Sequence, residues 1–299
     1  MPGSVQNAIA AAIPLAATYV IAGLAWAIIF RASKIFNFAT AQFIVLGAYL
    51  AYCLTRDAHI PVWLALILAA AAMALIGALT QTIFMRRLLD ASGDGSAQAS
   101  FAPVILTFGL AAVIEHVLSI SFGTGPEYIA SPFPKTIFHP FSGVVLTSAN
   151  VIIGVIALVL WGGSVLFIRL SKWGMQMRAA AEQPLLASQS GINVNGILIG
   201  AWAAAAVMAA IAGITYSYSS VVSPDIGNIG LRSLAPVIVG GMDSVTGVLP
   251  GAIIVALAES FAAVGFGESV RDAAVQVVIL AVLVVRPSGL LGGATVRRP

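Results

Sequence analysis

Apolar and polar positions alternate along this chain on the scale of a whole bilayer. Apolar runs fall at about 8–30, 40–55, 61–85, 102–121, 149–168, 194–218, 246–264 and 270–286, parted by short polar stretches. A helix needs roughly 17–20 such residues to cross the hydrocarbon of a membrane, and most of these runs approach or exceed that. The run at 40–55 is short, and a further brief run, Leu234–Met242, is bounded by Arg232 and Asp243. The pattern predicts an all-α, polytopic transmembrane helical bundle of about eight spans, with a short or broken helix near 231–243, as one domain over residues 1–299.

Composition supports this class. Only 8% of the 299 residues are charged, 60% are hydrophobic, and mean hydropathy is +1.03, whereas soluble domains carry roughly a quarter charged residues. The net charge of +3 is too small to suggest nucleic-acid binding and reads instead as topology-setting Lys and Arg. With the N-terminus outside, ten basic residues fall on the cytoplasmic side: Arg31, Lys34, Arg86, Arg87, Arg169, Lys172, Arg178, Arg286, Arg297 and Arg298. Arg56, Lys135, Arg232 and Arg271 fall on or near the outer face, and the arrangement requires 231–243 to pass through the membrane. Residues 1–30 hold no Lys or Arg and the first run has the length of a span, so it is expected to stay in the membrane. The lone Cys53 excludes an intrachain disulfide and is expected to be a small buried residue.

The polar stretches carry the candidate chemistry. Residues 171–193 are predicted to be cytoplasmic: Arg178–Ser190 lacks β-branched residues and favours helix, Pro184 interrupts it or starts a second turn, and Gly191 suits a left-handed stop. Asn193 or Asn195 is placed to cap the next span. Residues 122–148 are rich in Pro and Phe and read as an ordered extracytoplasmic loop with a hairpin around Val144–Thr147, while 88–101 reads as a mobile cytoplasmic loop. Asn37 and Gln42 flank the start of the short run, where amides in hydrocarbon need a partner helix or a water-filled path. Glu115 and Glu259 lie inside apolar runs, where a charge needs protonation, a partner or an exit to the interface. Structural ion pairing or hydrogen bonding is favoured over substrate contact for both, and His116, about 100° around the helix from Glu115, is not its natural partner. Gly196–Gly200 and Gly247–Gly251 have the spacing that permits close helix approach, and the Ala-rich run at 194–218 is expected to pack centrally. The stretch Gly240–Gly247 suits either an unwound segment or a tight turn. A weak echo between Ile35–Ala48 and Leu231–Gly241 suggests two broken helices at related places.

Motifs for catalysis are absent. There is no phosphate loop, no His-Glu-x-x-His, no Gly-x-Ser-x-Gly, no cluster with metal-ligand spacing and no cofactor motif. An intramembrane enzyme is thus disfavoured. A transport subunit driven by a separate ATPase and a proton- or ion-coupled transporter using Glu115 or Glu259 both stay open.

The residues resemble the permease subunits of branched-chain amino acid ABC importers over nearly the whole chain. The likeness rests on Ile35-Phe-Asn37-Phe-Ala-Thr-Ala-Gln42-Phe with Leu46-Gly47-Ala48, and on Arg178-Ala-Ala-Ala-Glu182 through Ser190-Gly191-Ile192-Asn193. Gly240-Gly241-Met-Asp243-Ser-Val-Thr-Gly247 and the ending Arg286-Pro287-Ser-Gly289-Leu290 complete it. Thr40-Ala41 stand where family members usually carry His-Gly. The resemblance implies a bacterial inner-membrane importer, with a second permease subunit of related but different sequence, cytoplasmic ATPase subunits and an extracytoplasmic solute-binding protein as partners. It implies that Arg178, Glu182 and Gly191 belong to the segment contacting the ATPase. Asn37, Gln42 and Ser233 are the candidates for the translocation path.

Overall fold

The computed structural model describes residues 2–91, 97–123, 125–129, 132–134, 136–141 and 144–292. Residues 92–96 of the predicted cytoplasmic loop, together with Lys135, Arg297 and Arg298, lie outside the described residues. The flanks of that loop are helical rather than irregular.

Each apolar run forms a helix. They are α1 (Pro2–Ser33), α2 (Ala39–Tyr52), α3 (Val62–Leu79), α5 (Ala97–Phe122), α6 (Ser148–Leu170), α9 (Val194–Ser219), α12 (Val248–Phe266) and α13 (Arg271–Val285). Single π-type turns extend α2 over Cys53–Asp57 and join α3, through Thr80–Met85, to α4 (Arg86–Ala91). Among the described residues six helical stretches are long and apolar enough to cross a membrane, based on α1, α3 with α4, α5, α6, α9 and α12. The shorter α2 and α13 make up the eight runs, and α10 (Ile226–Arg232) and α11 (Leu234–Gly240) form the expected broken element, parted at Ser233. Between α6 and α9 stand α7 (Lys172–Glu182) and α8 (Pro184–Gln189). The hairpin is present: β1 (Ile137–Phe141) pairs antiparallel with β2 (Val144–Thr147), Ile137 opposite Thr147.

The chain divides into two compact units. The first comprises Met1–Ala27, Ala130–Val165 and Arg232–Pro299, and the second Ile28–Ile129 with Leu166–Leu231.

The second unit is built around α9. Its Ala201, Ala205, Ala206, Ala209 and Ala210 are buried, and small side chains let neighbouring backbones approach. A methyl group added at Gly47 of α2 would strike Ala210, one at Gly77 of α3 the carbonyl of Trp202, and one at Gly213 the carbonyl of Ile44. The spacing motif at Gly196 and Gly200 does not mark such a crossing. Gly196 faces its own cap, Asn193, and a methyl added at Gly200 would meet the Trp173 ring only at ordinary contact distance, 3.4 Å. Cys53 is half-buried rather than buried, because it opens the π turn where α2 leaves the packed region.

In the first unit α11 lies against α12. Gly240 packs on Gly247, and Gly251 on the carbonyl of Pro236, so the Gly247–Gly251 motif does mark close approach. The Gly240–Gly247 stretch is a tight turn: Gly241 takes φ +104°, and Ser244 Oγ accepts from Gly247 N–H at 3.1 Å. The C-terminal segment docks here, with the N–H groups of Leu290 and Leu291 pairing the carbonyls of Val239 and Gly240 at 2.9 Å. These are helix-end carbonyls that α11 cannot satisfy by itself.

Candidate functional site

The start of α2 holds two of the three candidate path residues. Lys34 ends α1 in the left-handed region, at φ +56°, and the helix is interrupted over residues 34–37 before Phe38 returns to helical angles and α2 begins. The break does not lie at the end of the neighbouring helix. Phe38 stacks on Phe108 of α5 with ring centroids 4.0 Å apart, and its N–H donates to Thr107 Oγ1 at 3.2 Å. Phe108 is seven residues beyond Phe101, where the apolar stretch of α5 begins, so α2 starts about 10 Å inside that span. This accounts for the shortness of the run at 40–55. Irregular backbone at such depth persists only where protein buries it or where it lines water.

Polar side chains gather at this break. Asn37 Oδ1 accepts from Ala39 N–H at 3.1 Å, satisfying the first amide of α2. Gln42 Nε2 donates to Glu115 Oε2 of α5 at 3.2 Å. A Cβ on Gly227 of α10 would come within 2.9 Å of that same nitrogen. Ala41 takes up the space left by Gly230, whose added methyl would meet Ala41 Cα at 2.7 Å. Asn37 Nδ2, Thr40 Oγ1 and Gln42 Oε1 are all buried, yet none has a hydrogen-bond partner among the described residues. Each such group costs on the order of 1–3 kcal/mol if left dry.

Ser233, the third path candidate, belongs to the other unit. It is fully buried at the α10–α11 junction, and its hydroxyl accepts from Trp26 Nε1 at 3.1 Å. The structure thus brings Asn37 and Gln42 to one helix start and gives Ser233 a partner of its own.

The 171–193 segment forms two helices rather than one. Ser171 caps α7 by accepting from Gly174 N–H at 3.0 Å, so the helix begins six residues earlier than Arg178. It ends at Glu182, and Pro184 then opens α8 at a position where a missing N–H costs nothing. Gly191, at φ +83°, closes α8 with a full Schellman motif. Ile192 N–H bonds the Ala187 carbonyl and Gly191 N–H the Ser188 carbonyl, both at 3.0 Å. Asn193 caps α9 through Gly196 N–H at 2.9 Å. Met177, Ala180 and Ala187 face inward, while Leu185 and Leu186 stand exposed. Arg178 is half-buried and Glu182 exposed, one helical turn apart. Ala179, Glu182, Gln183, Leu186, Ala187, Ser190 and Ile192 line an open cavity of about 260 Å³ in the angle between α7 and α8.

The two intramembrane carboxylates differ. Glu259 of α12 is fully buried and held on both oxygens: Tyr19 OH donates to Oε2 at 2.5 Å, and Arg232 and Arg271 stand 3.3 and 3.5 Å from Oε1. Arg232 also pairs with Asp272 at 2.6 Å, and Arg271 with Glu268 at 3.1 Å. Glu115 is exposed on α5, with Gln42 as its hydrogen-bond partner. His116 turns away and bonds the Ala112 carbonyl at 2.8 Å.

Sequence reasoning missed Thr107, Gly227, Tyr19 and Asp272. Only Gly227 carried any signal, as one of two glycines, with Gly230, in a brief apolar stretch.

The family model described as "Branched-chain amino acid transport system / permease component" matches residues 8–286. The chain is 27% identical over 296 residues to the high-affinity branched-chain amino acid transport system permease protein BraD of Pseudomonas aeruginosa, covering 94% of each. It is 24% identical over 306 residues to the permease protein LivH of the corresponding system of Escherichia coli K12, covering 96% of this chain and 95% of that one. Among solved structures, a chain of PsaBC from Streptococcus pneumoniae, in complex with Fab, superposes with a TM-score of 0.49 at 14% identity, over 95% of this chain and 92% of that chain.

Proposed function

This chain belongs to the branched-chain amino acid transport permease family, and from that premise we propose that it is the membrane-spanning subunit of an ATP-driven importer for branched-chain amino acids or related small polar solutes. It is a multi-pass protein of the inner membrane. The observation that carries the transport role is the start of α2: a backbone break inside a span, with three buried polar atoms that have no partner among the described residues. Polar groups persist in a membrane protein where they meet a solute or water path. Asn37 and Gln42 line the path, and Ser233 marks the break in the α10–α11 element.

In this reading residues 171–193 are the cytoplasmic coupling segment, and 122–148 the extracytoplasmic loop on the side where a solute-binding protein delivers its cargo. ATP is hydrolysed on separate subunits. A second, related permease completes the membrane part. The α7–α8 pair is suited to receive force: caps at Ser171 and Asn193 and the Gly191 stop fix its geometry, while Leu186 and Glu182 remain available at the cavity rim and Leu185 stands exposed beside them. Closure of the ATPase dimer pushes this pair, and α9, capped directly after it, carries the motion inward.

The test is uptake by the assembled transporter. Glu182→Arg reverses a charge at the cavity rim, and Gly191→Pro forbids the left-handed turn, since proline holds φ near −65°. Both variants are expected to insert normally and to lose ATP-driven uptake. Wild-type uptake in both would refute the coupling role.

A further inference from the structure

Resting on that proposed transport function, we infer that Gln42 and Glu115 form the station that receives the protonated amine of the solute. The orientation of the Gln42 amide is fixed by its neighbour. Only its nitrogen can donate to the Glu115 carboxylate, so Oε1 must turn the other way. That oxygen is buried and lacks a donor among the described residues. Among those residues Glu115 makes no salt bridge either, and its Oε1 accepts no hydrogen bond. The pair therefore presents two acceptor oxygens and one uncompensated negative charge.

Its position supports a solute site over a structural contact. Glu115 lies seven residues before Phe122, about 10 Å from the helix end, in a stretch that also exposes Val113, Val117, Ile120 and the His116 ring, which is engaged with the Ala112 carbonyl. A carboxylate at that depth is costly against lipid and persists where it faces water or a polar partner. Glycine at position 227 leaves room for the amide nitrogen, since a Cβ there would come within 2.9 Å of it. What fits two acceptors and a net negative charge is a small cationic donor. A primary ammonium group supplies three N–H donors and the compensating charge. The pair thus recognises the ammonium end of a zwitterion and leaves its side chain unread.

The test uses the complete transporter, with ATPase subunits and binding protein, in lipid vesicles supplied with radiolabelled L-leucine. Glu115→Gln keeps shape and removes the charge. Leucine uptake is expected to fall about tenfold, the difference between a charged and a neutral hydrogen bond. Binding-protein-stimulated ATP hydrolysis and subunit stoichiometry should stay within about twofold of wild type. Glu115→Asp should restore part of the uptake, and Gln42→Leu should lower it as Glu115→Gln does. Unchanged uptake in Glu115→Gln overturns the inference, and so does parallel loss of uptake, ATP hydrolysis and assembly, which marks a structural role. Loss of wild-type uptake when sodium is replaced by choline would instead assign the pair to a metal cation. If wild type accumulates no leucine with ATP present, the failure lies in the transport reading beneath.

Discussion

Two carboxylates sit in apolar helices of this chain, and their surroundings are opposite. Glu259 is sealed from solvent and held by a tyrosine hydroxyl and two guanidinium groups, which are themselves tied to Asp272 and Glu268. Glu115 stands exposed beside a glutamine whose remaining oxygen has no donor among the described residues. A buried carboxylate with charged or hydrogen-bonding partners on both oxygens fixes structure, whereas a buried acceptor left open is a place where something else can arrive. The contrast separates a residue that holds the fold from one placed to meet the cargo.

Breaking each site should therefore give opposite patterns of stability and activity. The largest stability effect is expected for Glu259→Ala, which leaves Arg232 and Arg271 without their shared partner, a loss of about 3–5 kcal/mol for a buried pair. Thermal unfolding in detergent measures it, and a transition unchanged from wild type would remove Glu259 from the framework. Next comes Tyr19→Phe, which deletes one hydrogen bond to a charged acceptor and should cost about 1.5–3 kcal/mol in the same assay. Asn193→Ala removes the α9 cap and should cost about 1 kcal/mol, with uptake reduced because the cap joins α9 to the α7–α8 pair. Glu115→Gln sharpens the comparison from the other side. Its stability should change by no more than about 0.5 kcal/mol, although leucine uptake falls.

Local features of this fold could be read from the sequence because their causes lie within a few residues. The eight apolar runs, the Gly191 stop, the Asn193 cap, the break at Pro184 and the hairpin ending at Thr147 each depend on a span, a turn or a cap. The helix expected from Arg178 starts six residues earlier, where Ser171 caps it, and Gly174 allows close contact with the Ile168 carbonyl. The candidate site was legible in part. Asn37 and Gln42 stood out as amides in an apolar stretch, but nothing local placed the break beside Phe108 or joined Gln42 to Glu115, 73 residues on. Tyr19 and Glu259 are 240 residues apart, and only the packed helices bring them together.

The central claim is that this chain moves solute only when a nucleotide-hydrolysing partner drives it. Vesicles holding the chain with its second permease, loaded with and without the ATPase subunits and supplied with binding protein and radiolabelled L-leucine, test this directly. Accumulation is expected only when the ATPase and ATP are both present. Accumulation driven by an ion gradient in vesicles lacking the ATPase would contradict the claim.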